Sequence, residues 1–121
     1  AAQATADDLM ARVAIVPLVL EARGLDVTPR MIEKLRETGD DASADIIAII
    51  YRDEKRHVAF GMKWFRFMCE RDRLMPEPTF HDLVRRYFRG PIKPPFNDPA
   101  RAEAGLTPGF YKPLSAMGVT R

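Results

Sequence analysis

The chain has 121 residues, 46% of them hydrophobic and 30% charged, which is the size and composition of one globular domain and short for a complete metabolic enzyme. Its 19 Lys and Arg against 17 Asp and Glu leave a net charge of +2, too little for the positive field of a dedicated nucleic-acid binder. No apolar run approaches the roughly 18 residues of a membrane span, the first residues lack the basic and apolar regions of a secretory signal, and a lone cysteine, Cys69, excludes an internal disulfide framework and fits a reducing cytoplasm.

The stretch from Thr5 to Arg23 reads as a helix, with Asp7 or Asp8 as its cap and Gly24 as its end. Pro17 falls inside it and predicts a kink, a local bulge or a fresh helix start. Ala14, Leu18 and Glu21 share one face, so a carboxylate continues an apolar stripe. Residues Gly24 to Pro29 read as a turn, with Thr28 capping and Pro29 opening a short helix through Met31, Ile32, Leu35 and Arg36 that Gly39 closes.

Ser43 or Asp45 then starts the dominant element. From Ala44 to about Leu74 there is no proline and a single glycine, and some 30 helical residues make a rod roughly 45 Å long. A rod of that length predicts membership of a bundle. Its inward stripe is Ile47, Ile50, Tyr51, Glu54, His57, Val58, Gly61, Phe65 and Met68, and a second strip through Ile46, Ile49, Phe60, Trp64 and Phe67 widens the face for several neighbours. A further amphipathic helix spans Glu77 to Phe88. Beyond Gly90, prolines at 91, 94, 95, 99, 108 and 113 alternate with Phe96, Phe110 and Tyr111, which predicts an ordered strap across the helices with a short helix at Pro99 to Ala104. The expected organisation is a helical unit over residues 1–90 and a proline-rich strap over 91–121.

The richest chemical cluster is Asp53-Glu54-Lys55-Arg56-His57. Glu54 and His57, three apart, set an oxygen donor and an imidazole within one helical turn. A dinuclear iron or manganese site in a helical bundle uses one Glu from each of two helices and a Glu-x-x-His pair from each of two others; Glu21, Glu54 and His57 make half of such a set. The bland alternative is an ion pair on a surface helix. It is weakened by the apolar stripe that both residues interrupt, where an unpaired carboxylate costs several kcal/mol or shifts its pKa and a metal offsets the desolvation directly. Gly61 leaves room for a substrate, oxygen or a close helix crossing. His81, with Pro78 three before it and Glu77 four before it, cannot complete a second Glu-x-x-His and reads as a cap or surface residue.

The Asp53 to His57 run resembles the Asp/Glu-Glu-x-Arg-His signature of ferritin-like diiron proteins, which include ribonucleotide reductase small subunits, acyl carrier protein desaturases and the tRNA-hydroxylating MiaE enzymes. Three blocks, Glu21 to Pro29, Tyr51 to Val58 and Gly90 to Asn97, more closely resemble the C-terminal part of a bacterial ferritin-like family labelled domain of unknown function 455. The resemblance implies an all-α, ferritin-like bundle with only half of the four-helix metal-binding core in this chain. It implies Glu21 and His57 as terminal metal ligands, Glu54 as a bridging one, and Asp53 as the acceptor that orients a histidine ligand. Tyr51 stands one turn before Glu54, placed to bond a ligand or simply to fill the core.

The other half of the ligand set is expected from a complementary N-terminal chain or subunit, since the resemblance begins in mid-domain, or from a second copy on a two-fold axis, where Glu21, Glu54 and His57 would be doubled. Two iron ions, or manganese, are the expected cofactor, and oxidation or hydroxylation of an organic substrate with oxygen the expected chemistry. Alternatives are a metal-free helical scaffold or partner subunit, and iron storage or peroxide detoxification. Arg52, Arg56, Arg23 and Asp26 are expected in salt bridges. Arg85, Arg86, Arg89 and Lys93 beside Tyr87 and Phe88 read as a solvated face, so RNA is not the expected partner.

Overall fold

A computed structural model describes residues 8–115; Asp7, the Thr5 helix start and the last six residues of the strap lie outside them. Asp8 caps the first helix by accepting the Ala11 N–H at 3.0 Å. Helix α1 (Leu9–Ile15), a π-helical segment (Val16–Glu21) and α2 (Ala22–Glu37) then follow one another with right-handed helical dihedrals at the junctions. Pro17 has no N–H to donate and its ring crowds the preceding turn, and the chain widens there: the Ala22 N–H reaches back five residues to the Pro17 carbonyl. The local bulge expected at Pro17 is thus a full π turn ending on Glu21.

The turn expected at Gly24 to Pro29 is absent, because α2 runs through it. Gly24 stays helical at a close crossing, where a Cβ would lie 3.5 Å from Glu54 Cγ. Pro29 sits inside the helix and cannot donate to the Leu25 carbonyl four residues back. That carbonyl instead accepts Nδ2 of Asn97 at 3.0 Å, a tertiary partner that short-range signals did not reveal. Gly39, with φ +83°, does end the helix, and the Asp40 N–H bonds the Leu35 carbonyl at 2.9 Å in a left-handed C-terminal cap.

Helix α3 (Asp41–Arg71) is the rod expected from the sequence, 31 residues and about 46 Å long. It begins a little earlier than Ser43 because Asp40 accepts the Ser43 N–H at 3.1 Å. It packs antiparallel to the α1 to α2 helix: Gly24 meets Glu54, and Gly61 meets Pro17. Helix α4 (Pro76–Tyr87) closes the far end over α1 and α3, with Phe80 edge-on to Phe65 at 6.0 Å and to Phe110 at 5.7 Å.

The described part of the strap folds back over the helices. It carries α5 (Asp98–Glu103), α6 (Pro108–Tyr111) and a 3-10 turn (Lys112–Leu114), and Ile92 forms a single parallel bridge with Ser115. Leu106, Phe110 and Tyr111 enter the same core as Ile15, Val58 and Phe65. Its return over α4 corrects the reading of His81, which is part-buried and donates a ring N–H to the Gly109 carbonyl at 2.8 Å.

Only one side of α3 is covered within the described chain. Val58, Gly61, Phe65 and Met68 of the predicted stripe are buried, whereas Ile50 and His57 are exposed. Ile46, Ile49, Phe60, Trp64 and Phe67 are also exposed, Phe60 by 61%. Phe60, Trp64 and Phe67 stack edge to face at 6.1 and 5.7 Å, forming an aromatic ridge that the described chain leaves largely uncovered. No described helix is long and apolar enough to cross a membrane.

Candidate metal centre

The π turn determines where Glu21 points. As the last residue of that segment, its side chain is displaced around the helix relative to an uninterrupted α-helical course, and it faces the middle of α3. There Glu54 and His57 stand one turn apart. Glu21, Glu54 and His57 each offer a ligand atom, and the three atoms lie within 4.8 Å of one another. The structure therefore brings together all three residues singled out from the sequence as metal ligands.

Their environments differ. Glu54 is pressed against Gly24, and its Oε2 is buried without a hydrogen-bond partner. Burial raises the Glu54 pKa above the usual carboxylate range, the negative charge of Glu21 adds to the rise, and His57 opposes it. Two carboxylates and one imidazole converge with no Lys or Arg bonded to any of them among the described residues. Such a donor set is electron-rich and incompletely satisfied, which suits a metal cation.

Glu21 and His57 open onto a cleft of about 480 Å³ whose walls include Val13, Pro17, Phe60 and Trp64. Gly61 belongs to the floor, and the structure decides its role: an added Cβ would sit 2.8 Å from Pro17 Cβ and Cγ, so the glycine permits the close helix crossing. Asp53 is exposed and bonds nothing within the described chain. Tyr51 turns from the cluster toward the strap, where its hydroxyl accepts Nδ2 of Asn97 at 2.8 Å and its ring lies 5.2 Å from Lys55 Nζ.

The charge network differs from the expected one. Arg52 and Arg56 form no salt bridge among the described residues. Arg23 approaches Asp26 at 3.5 Å, but the principal partner of Asp26 is Arg101, bound through two hydrogen bonds of 2.9 and 2.6 Å with both side chains almost wholly buried. Neither Arg101 nor Asn97 stood out in the sequence. The available signal was Pro29, which withholds the helical donor from the Leu25 carbonyl once α2 runs through it.

The fold and the cluster together define an all-helical protein with a candidate metal-binding site of two glutamates and a histidine. A family model described as a protein of unknown function, DUF455, matches residues 1–112, and the chain belongs to that family. An uncharacterized protein of Haemophilus influenzae is 42% identical over 106 residues, covering 88% of this chain and 37% of the relative. The chain thus spans little more than a third of that relative's length. No solved structure matches it.

Proposed function

We propose that this chain contributes half of a dinuclear metal centre in a ferritin-like four-helix core. Glu21 and His57 are assigned as terminal ligands and Glu54 as the bridging one. The observation that carries this reading is the buried, unpartnered Oε2 of Glu54 within 4.8 Å of two further donors, beside a cleft whose one cationic wall residue, Arg56, forms no salt bridge among the described residues. An apolar protein interior retains such a group at a cost of about 1–3 kcal/mol unless something cationic meets it, and carboxylate with imidazole accepts iron or manganese.

The completing donors are assigned to a polypeptide that covers the exposed side of α3. The family relative carries much sequence beyond the matched portion, which favours a further segment or subunit over a second copy, and the family resemblance puts that segment on the N-terminal side. In either case the partner buries the Phe60, Trp64 and Phe67 ridge and closes the cleft, and Asp53 then faces its polar groups. Bound as a diiron pair, the metal supplies oxygen activation for oxidation or hydroxylation of an organic substrate. This chain holds the carboxylates and imidazole in place, excludes water through the apolar cleft walls, and anchors the ligand helices to the strap.

The competing reading is a metal-free scaffold, favoured by the same aromatic ridge, which suits any helical partner. Anaerobic loading of the native assembly with Fe²⁺, followed by elemental analysis, tests the two. Stoichiometric iron lost on Glu54→Ala and on His57→Ala supports the metal centre. Absence of bound metal in the intact assembly supports the scaffold.

A further inference from the structure

Between the metal cluster and the strap lies a clasp that bonds both ligand-bearing helices. Asn97, which also caps α5 through its Oδ1, directs Nδ2 to the Leu25 carbonyl on α2 at 3.0 Å and to the Tyr51 hydroxyl on α3 at 2.8 Å. Its backbone N–H donates to Asp26 Oδ1 at 2.8 Å. Asp26 is in turn gripped by both guanidinium bonds of Arg101, and Arg101 is 1% exposed with its guanidinium 5.0 Å from the Phe96 ring and 4.4 Å from the Tyr111 ring. A planar, doubly bonded cation held against two aromatic rings leaves the strap little freedom to slide.

The position of the clasp gives it consequence. Leu25 is one turn beyond Glu21, and Tyr51 is one turn before Glu54. Gly24, at the same level, touches Glu54. The acceptor on α2 exists because Pro29 withholds the helical donor from Leu25. A proline in one helix, a tyrosine in the other and an asparagine in the strap thus form one bridge across the crossing of α2 and α3.

We propose that Asn97, backed by Asp26 and Arg101, is a positioning residue for the metal cluster, setting the separation of Glu21 from Glu54 and His57 by pinning α2 to α3 one turn away. The inference rests on the metal-centre reading and adds that the site's geometry is imposed from the C-terminal strap. Groups that orient ligands from behind typically alter metal affinity by about 10–100-fold.

The test uses the native assembly titrated with Co²⁺, whose ligand-field absorption reports coordination geometry. Asn97→Ser retains a capping oxygen for α5 but is too short for both bridging bonds, and Tyr51→Phe removes one acceptor alone. Asn97→Ser is expected to weaken Co²⁺ binding about tenfold and to alter the spectrum, and Tyr51→Phe to shift both in the same direction by less. Leu83→Ala, a core truncation on α4, is expected to lower Tm and leave the spectrum unchanged. Asn97→Ser also strands the Leu25 carbonyl and is expected to lower Tm; the double variant Pro29→Ala, Asn97→Ser gives Leu25 a helical donor again and is expected to regain that Tm without regaining the spectrum. Recovery of spectrum and Tm together, or unchanged Co²⁺ binding in Asn97→Ser, overturns the positioning role while leaving the metal centre standing. Failure of the unsubstituted assembly to bind Co²⁺ overturns the metal centre itself, and the positioning role with it.

Discussion

Arg101 is the largest side chain buried whole in the described chain, and its burial is supported by a paired carboxylate and two aromatic faces. Removing one partner of such a pair strands the other charge, so Arg101→Ala is expected to destabilise the chain by about 3–5 kcal/mol, read as a fall in the midpoint of denaturant unfolding. Arg101→Lys is expected to recover only part of that loss, because an ammonium cannot make the paired bonds to Asp26. Nearby, Asp98 accepts hydrogen bonds from the Tyr111 hydroxyl and from Lys112 Nζ. These hold its pKa below the ordinary value of 3.8, so the unfolded chain takes up its proton first as pH falls. The stabilisation from Asp98 is therefore complete above pH 3.8 and is lost through the acid range below it. Tyr111→Phe is expected to shrink that acid-limb loss in a series of Tm measurements against pH.

At the scale of elements, the crossing of the π segment with α3 leaves no space at Gly61. Gly61→Ala is expected to cost about 1–3 kcal/mol through overpacking against Pro17, even though alanine is the better helix former, and a lower Tm checks it. The same crossing shows what the sequence reveals and what it conceals. Glu54 and His57 were legible because a spacing of three inside an apolar stripe has one geometric meaning on a helix, and Pro17 was legible because an imino acid must disturb the turn in which it sits. Pro29 misled for the opposite reason: locally it signals a helix start, and only Asn97, far along the chain, makes its interior position tolerable. Arg101 was hidden likewise, since a surface arginine and a buried one look alike until Asp26, Phe96 and Tyr111 are seen around it. The stripe on α3 was legible as a period but not as a burial pattern, because which side of a long helix is covered depends on its partners.

For the whole molecule, the uncovered side of α3 is the dominant fact. The exposed Ile46, Ile50, Phe60, Trp64 and Phe67 form the apolar side of α3 that the proposed partner would cover. The described chain alone is expected to self-associate at high concentration, and Phe60→Ser with Trp64→Ser to reduce that association in sedimentation velocity while lowering Tm little, since both residues are exposed. In the native assembly the same pair of substitutions is expected to weaken partner retention and, through it, metal content.

The most direct measurement is the metal content of the native assembly, taken together with its X-ray absorption edge and the response to Glu54→Ala. The account predicts about two iron or manganese ions per completed site, ligated by oxygen and nitrogen and lost in the variant. An assembly that remains intact and metal-free after anaerobic loading, or one whose metal is indifferent to Glu54, would contradict it.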